Sequence, residues 1–298
     1  MRRRFSTLDV FTSKRFAGNP LAVVLDAEGL SDSMMQTIAR EFNLPETVFV
    51  LPPNAPAHRA RLRIFTPAME LPFAGHPTVG AAVLLGLRDG GTNREMIFEE
   101  QIGPVRCRFT QASDGLGNAA FDVPGTPEFL GGAPDGAALA AALSLTLDDL
   151  GCDGFEPGRW KAGNIFTMIP VRGLEAIGRA QPDLSRWAAA FGETGARNAF
   201  LFCSDTEDPR HAFHARMFAP YMGISEDPAT GSAVAAFAGV VAKFAGLPDG
   251  EHMLAVEQGY EMGRPSLIHL TVRLQGGALV SASIAGDAIV MGEGTIEA

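Results

Sequence analysis

RMFAPYMGISEDPATGSAVAAFAGVVAKF (residues 216–244) decides the fold once it is laid on RIFTPAMELPFAGHPTVGAAVLLGL (residues 63–87). Both open on an arginine and an apolar run that ends in Phe-X-Pro, with Arg63, Phe65 and Pro67 set against Arg216, Phe218 and Pro220. Met69 falls on Met222. With three extra residues in the second loop, Pro72 falls on Pro228 and His76 on Ser232. Each loop then reaches a glycine, Gly75 or Gly231, that starts a second apolar run. The pattern predicts one strand–loop–helix unit used twice. The two glycines stand about half the chain apart, so the repeat implies two similar domains.

The runs after those glycines, 76–87 and 232–245, have no polar face and share a single charge, Lys243, near one end. Their Ala, Val, Leu and Phe content predicts helices, with Gly231-Ser232 as an N-terminal boundary and Ser232 as a cap. A helix that is apolar all round is buried on all sides, and neither run reaches the roughly 20 residues of a membrane span. Each helix therefore belongs inside its domain, wrapped by strands. Its N-terminus is then a buried, positively polarised set of free N–H groups, suited to an anion.

The 298 residues suit two domains of ordinary size, and 46% hydrophobic with 19% charged residues supplies two cores. A net charge of −10, with no basic stripe carrying interleaved aromatics, argues against a nucleic-acid partner. Arg2-Arg3-Arg4 is the only basic cluster, and FSTLDVFTSKRF after it is not the apolar core of a secretory signal. Cys107, Cys152 and Cys203 form an odd, scattered set without a CxxC pair, which fits a reduced cytoplasm.

Along the chain, 5–11 and 21–25 read as strands separated by a Gly18-Asn19-Pro20 turn. Ser31 is the expected N-cap of a helix through Phe42 with Met34, Met35, Ile38 and Phe42 on one face, stopped by Pro45. In NLPETVFVL, residues 47–51 form a β-branched and aromatic strand with the Glu46 carboxylate at its head. Strands are expected at 95–100, 105–110, 119–123, 160–171, 199–203, 211–218, 251–258, 267–274, 278–284 and 288–291, and helices at 137–143 and 183–191. The Pro- and Gly-rich segment 125–136 reads as a linker. The expected class is α+β: two pseudo-symmetric domains, 1–128 and 129–285, each a curved, mainly antiparallel sheet around a buried central helix.

No P-loop and no GxGxxG fingerprint occurs. His211 and His214 stand three apart in an expected strand, which aims them at opposite faces and weakens a metal reading. Ser232 sits in T-G-S-A rather than a G-x-S-x-G elbow, so a serine hydrolase is the weaker alternative. The remaining polar groups, Glu46, His76, Asp227 and Ser232, lie in or beside the two repeat loops. Pairing of the copies would set two helix starts on one small carboxylate or developing enolate, with a general acid/base nearby. A carboxylate shielded from water has its pKa raised into a useful range. A non-catalytic anion- or partner-binding protein with the same fold is the competing class.

RIFTPAMELPFAGHPTVGAA and EDPATGSAVAA, together with DVFTSKRFAGNPLAVVLD, NLPETVFV and EQGYEMGRPS, resemble the PhzF-like isomerase family of phenazine biosynthesis over essentially the whole chain. The resemblance implies the diaminopimelate epimerase-like fold, with two similar domains, a central helix in each, a cleft between them, and a final strand, about 286–298, that returns to the first domain. It also implies proton relocation on a small cyclic or amino/hydroxy carboxylate without metal or other cofactor, and a homodimer. Residue by residue, it gives Glu46 as the acid/base, with His76 and Asp227 catalytic beside it. Asn19, Gly75, Gly231 and Ser232 would bind substrate. Two-thiol racemases of the same fold would carry cysteines immediately before the glycines, where this chain has Ala74 and Thr230.

Overall fold

The computed structural model describes residues 1–192 and 198–298. It divides into two compact units, residues 1–124 with 284–298, and residues 125–283. In the first, the chain runs β1 (Arg2–Val10), β2 (Asn19–Val24), α1 (Asp32–Phe42), β3 (Glu46–Leu51), β4 (Ala60–Phe65) and β5 (Glu70–Leu71). It continues through α2 (Gly75–Arg88), β6 (Asn93–Glu100), β7 (Gly103–Ser113) and β8 (Leu116–Asp122). The second holds β9 (Glu128–Gly132), α3 (Gly136–Ala142), β10 (Gly158–Ala162), β11 (Asn164–Pro170), α4 (Gly173–Arg179) and α5 (Leu184–Phe191). Then come β12 (Asn198–Cys203), β13 (Phe213–Ala219), β14 (Ile224–Asp227), α6 (Gly231–Phe244), β15 (Gly250–Gln258), β16 (Ser266–Gln275) and β17 (Ala278–Glu297). The distal part of β17 belongs to the first unit.

Strand pairing in the first unit closes on itself. β17 pairs with β1, β1 with β2, β2 with β3 in parallel, β3 with β4, β4 with β6 in parallel, β6 with β7, β7 with β8, and β8 with β17 again. A closed sheet has no free edge, and α2 fills its interior with every residue from Gly75 to Gly86 buried. The second unit repeats the order as β9–β10–β11–β12–β13–β15–β16, with β11/β12 and β13/β15 parallel. Here α6 is the inner helix, buried from Gly231 to Val241. Phe237 meets Phe200, Phe202 and Phe213 at ring-centroid distances of 5.7, 4.7 and 5.0 Å, each such pair adding about 0.5–1.5 kcal/mol beyond area burial. This is why α6 needs no polar face. At Gly239 the Trp160 ring passes so close that a Cβ would lie 2.4 Å from Cζ3.

Amphipathic helices cover the outer faces. α1 buries Met35, Ile38 and Ala39 on Val24, Phe49, Leu51 and Phe65, while Leu139, Ile177, Trp187 and Phe191 of α3–α5 cover the second sheet. Strands β3 and β12 are thus covered on both faces and are buried throughout, which explains the unbroken apolar run after Glu46.

The repeat extends to side-chain contacts. Arg63 holds Glu70 with two bonds of 2.7 Å and lies 5.2 Å over Phe65, and Arg216 holds Glu226 with two of 2.8 Å and lies 4.8 Å over Phe218. Glu99 accepts from His58 Nδ1 and the amides of Asn54 and Ala55, and Glu257 accepts from His211 Nδ1 and the amides of Glu207 and Asp208.

Several sequence expectations are corrected. Asn19 and Pro20 belong to β2 rather than to a turn. The expected strand 160–171 is a hairpin broken at Gly163, whose φ of 78° turns the chain. Segments 278–284 and 288–291 are one twenty-residue strand, and a register shift opposite Thr7/Leu8 bends it. The segment 125–136 carries β9, paired with β10. Asn43 in the left-handed conformation, not Pro45, ends α1, and Met34 is exposed. The N-cap of α6 is Thr230, because the helix already begins at Gly231. His211 precedes β13, so strand alternation does not apply to it, and it meets the same carboxylate as His214, at 2.6 and 2.8 Å. No helix among the described residues is long and apolar enough to cross a membrane.

Candidate active site

The seven residues singled out in the sequence fall into two groups, one in each unit. In the first, β3 lies parallel to β2 with Leu21 opposite Glu46, so Glu46 opens its strand beside the segment that carries Asn19. Nearby, α2 starts at Gly75 with Ala74 as N-cap and no side-chain cap. The first-turn amides, Gly75 and His76, thus have no side-chain cap at the positive end of the helix dipole. Pro77 follows at the third position, where a missing N–H costs nothing.

His76 Nε2 lies 3.3 Å from Glu46 Oε2, and its Nδ1 lies 3.2 Å from Asn19 Nδ2. Asn19, Glu46 and His76 are 0%, 7% and 3% exposed. Burial drives the imidazole pKa down to about 3, against a smaller opposing effect of a bond to the Pro20 carbonyl. His76 is therefore neutral, and its contact with Glu46 is not an ion pair. In the tautomer with its proton on Nε2 the ring accepts from Asn19 on Nδ1, and its Nε2 stands 3.3 Å from Glu46 Oε2 without the alignment of a hydrogen bond. His76 thus lies beside Glu46 without placing a charge there.

Behind the same helix start lies Glu100, which burial raises to about 8. The Thr78 hydroxyl, with one proton, is 2.8 Å from the Ala74 carbonyl and 2.7 Å from Glu100 Oε1. Donation to the carbonyl leaves the hydroxyl to accept from a protonated Glu100.

In the second unit, β14 ends at Asp227 and α6 begins after Thr230, again without a side-chain cap. The Thr230 hydroxyl donates to Asp227 Oδ2 at 2.5 Å. Gln258, fully buried, accepts from the Thr230 amide at 3.1 Å and donates to the Asp227 carbonyl at 2.7 Å and the Thr230 hydroxyl at 3.0 Å. Asp227 and Ser232 are 3% and 6% exposed. The unit's His211 and His214 are held on Glu257.

Strand register gives the counterparts of the first group. Thr47 opposes Phe65 as Ala199 opposes Phe218, so Asn198 occupies the place of Glu46. Leu21 opposes Glu46 as Phe166 opposes Asn198, so Asn164 occupies the place of Asn19. Arg61 opposes Glu99 as His214 opposes Glu257, so Gln258 occupies the place of Glu100. Sequence reasoning missed Asn164, Asn198, Thr230, Gln258 and Glu100. The tripeptide Ala-Gly-Asn at 17–19 and again at 162–164 was the available signal for the first.

The first unit thus brings together an uncapped helix start, a buried carboxylate and a neutral histidine. The chain matches the PhzC/PhzF family, described as phenazine biosynthesis-like protein, over residues 8–294. It is 47% identical to an uncharacterized isomerase of Mesorhizobium japonicum, covering 99% of this chain and 98% of that one. It is 33% identical to the trans-2,3-dihydro-3-hydroxyanthranilate isomerase of Pseudomonas chlororaphis, covering 97% of each. The crystal structure of a Bacillus anthracis phenazine biosynthesis protein of the PhzF family superposes with a TM-score of 0.89, at 28% identity and full coverage of both chains. The chain belongs to the PhzF family of isomerases.

Proposed function

We propose that this protein is a cofactor-independent isomerase that relocates a proton on a small cyclic or amino/hydroxy carboxylate, with Glu46 as the general acid/base. The observation that carries the reading is the neutral His76, 3.3 Å from Glu46 at an uncapped helix start. Glu46 as carboxylate takes a proton from a carbon activated by neighbouring unsaturation, becoming a carboxylic acid and leaving an enolate-like anion. It returns that proton to a different carbon and is a carboxylate again. Helix-start amides stabilise the anion, which is the role of preorganised donors in a water-poor site. Ser232 and the amides at Gly75 and Gly231 hold the substrate carboxylate, Asn19 orients His76, and Asp227 accepts from a substrate hydroxyl or amine. The fold assigned to this reading is the diaminopimelate epimerase-like one.

The test is incubation in D₂O with a panel of cyclic hydroxy- and amino-carboxylates that includes trans-2,3-dihydro-3-hydroxyanthranilate, followed by proton NMR. One carbon gains deuterium as the isomer forms. Positioned acid/base catalysis contributes about 10²–10⁴-fold, so Glu46→Gln loses at least that factor while keeping its fold. Equal turnover by Glu46→Gln sinks the mechanism.

A further inference from the structure

We propose that Gln258 is a positioning residue for Asp227, acting by fixing the rotor of the Thr230 hydroxyl. The inference rests on the functional reading above, in which Asp227 contacts substrate, but its geometry stands by itself.

A threonine hydroxyl has one proton and can turn it to any acceptor in reach. Around Thr230 the neighbours leave it one direction. Gln258 Nε2 donates to Oγ1 from 3.0 Å, which occupies a lone pair and excludes that side as an acceptor. The proton is left for Asp227 Oδ2, 2.5 Å away. The same amide group also ties the loop backbone at both ends, through the Asp227 carbonyl at 2.7 Å and the Thr230 N–H at 3.1 Å. A primary amide is required for this. Only a group with one acceptor and two donors serves all three atoms, and Gln258 uses each of them.

The next residue tightens the arrangement. Gly259 has φ of +80°, and a Cβ there would sit 2.6 Å from the Pro228 carbonyl oxygen and 2.5 Å from that of Arg264. The end of β15 is therefore pressed directly on the loop of residues 227–230. In the first unit the equivalent place holds Glu100, whose carboxyl faces Thr78 and not a loop carboxylate. The amide is thus particular to the copy that carries Asp227, where a second acid would compete for the hydroxyl proton.

Gln258→Glu is the discriminating variant. It keeps shape and the acceptor, loses both donors, and presents a carboxylate to which the Thr230 hydroxyl turns. Thr230→Val removes the hydroxyl at constant volume, and Thr230→Ser restores it. With trans-2,3-dihydro-3-hydroxyanthranilate as probe, Gln258→Glu and Thr230→Val are each expected to lower kcat at least tenfold, with KM changed less than threefold. Thr230→Ser recovers most of the loss. In an Asp227→Asn background Gln258→Glu adds less than threefold. Full additivity in that background, or a loss confined to KM, overturns the proposal. If Gln258→Glu does not fold, the Thr230→Val and Thr230→Ser pair decides alone. Absence of turnover by the wild-type protein with every member of the panel is a failure of the functional reading. Crystal structures then decide the positioning role: an Asp227 carboxylate that keeps its place in both Gln258→Glu and Thr230→Val overturns it, and a rotated one sustains it.

Discussion

Replacing Glu100 by glutamine converts the first unit's buried strand-end acid into the residue that the second unit carries at the same place, Gln258. Glu100 is 7% exposed, and burial lifts its carboxyl to about 8 from an ordinary value of 4.5. In the folded protein it stays protonated up to that pH, whereas in the unfolded chain it ionises near 4.5. Between those values the folded state holds more protons, so wild-type stability falls as pH rises through the window and levels off above it. Integrating the two titrations from pH 5 to pH 8 gives a loss of about 3 kcal/mol from this residue alone. His76 works the other way: its folded value near 3 lies below the unfolded 6.5, so it costs stability only as pH falls below the latter. Both His76 and every surface group cancel when variant and wild type are compared at each pH. Glu100→Gln is therefore expected to gain about 3 kcal/mol on wild type between pH 5 and pH 8, whatever constant offset the substitution brings.

The assay is urea unfolding at a series of pH values, followed by far-UV circular dichroism. Tryptophan fluorescence is unsuitable, because Trp160 and Trp187 both lie in the second unit. A difference between Glu100→Gln and wild type that stays flat from pH 5 to pH 8 would refute the assignment of Glu100 as a buried neutral acid.

Other outcomes follow from the same geometry. Because His76 is neutral above about pH 4 by virtue of its folded value near 3, the pH profile of kcat/KM should show no inflection near 6.5 that His76→Asn removes. Arg216→Lys should cost about 2–4 kcal/mol by denaturation, because the side chain is 2% exposed and also donates to the Ile177 and Ala180 carbonyls. The equivalent Arg63→Lys should cost about 1 kcal/mol, since that side chain is 19% exposed and its extra partner, Asp32, faces solvent. Gly239→Ala should destabilise by about 1–3 kcal/mol through overpacking on Trp160, with Trp160→Phe relieving part of the loss.

The central helices and the loops before them were legible because their signals are local. A run with no polar face has only one place to go, and the Arg-X-Phe-X-Pro openings placed His76 and Ser232 at equivalent helix starts. The residue pattern by itself showed Glu46 as a lone carboxylate before an apolar strand, and the family resemblance supplied its expected role. Its contact with His76 and the Asn19 contact on the far side of the ring depend on β2 and β3 lying parallel, which no local pattern reports. Gln258 and Glu100 were invisible for the same reason. Each reaches its helix start through a parallel pairing, β13 with β15 or β4 with β6, that skips over the helix itself. His211 and His214 were misjudged because a period of two was applied across a strand start. Gly163 was read through as part of one strand and Gly286 as a break between two, yet the first turns a hairpin and the second lies within a continuous strand.

Comparing the two copies separates what the scaffold needs from what the chemistry needs. The arginine–glutamate pairs Arg63–Glu70 and Arg216–Glu226 recur, as do the glutamate–histidine pairs Glu99–His58 and Glu257–His211. These tie strands and loops that each unit must form to enclose its helix, so both copies keep them. The positions that differ cluster at the helix starts: Glu46 against Asn198, His76 against Ser232, Glu100 against Gln258. At these three places the first unit has an ionisable group and the second a neutral hydrogen-bonding one, while Asp227 runs the other way: Ile64 opposes Leu71 as Met217 opposes Asp227, so the second copy has a carboxylate where the first has a leucine. Inversion by a base on each face of a substrate needs a titratable group in both copies; Asn198, Ala74 and Thr230 cannot supply it, and the Asp227 carboxylate of the second copy accepts from the Thr230 hydroxyl. On the reading proposed above, Glu46 moves the proton while Asp227 accepts from substrate, which suits a proton that leaves one carbon and returns to another through a single carboxylate.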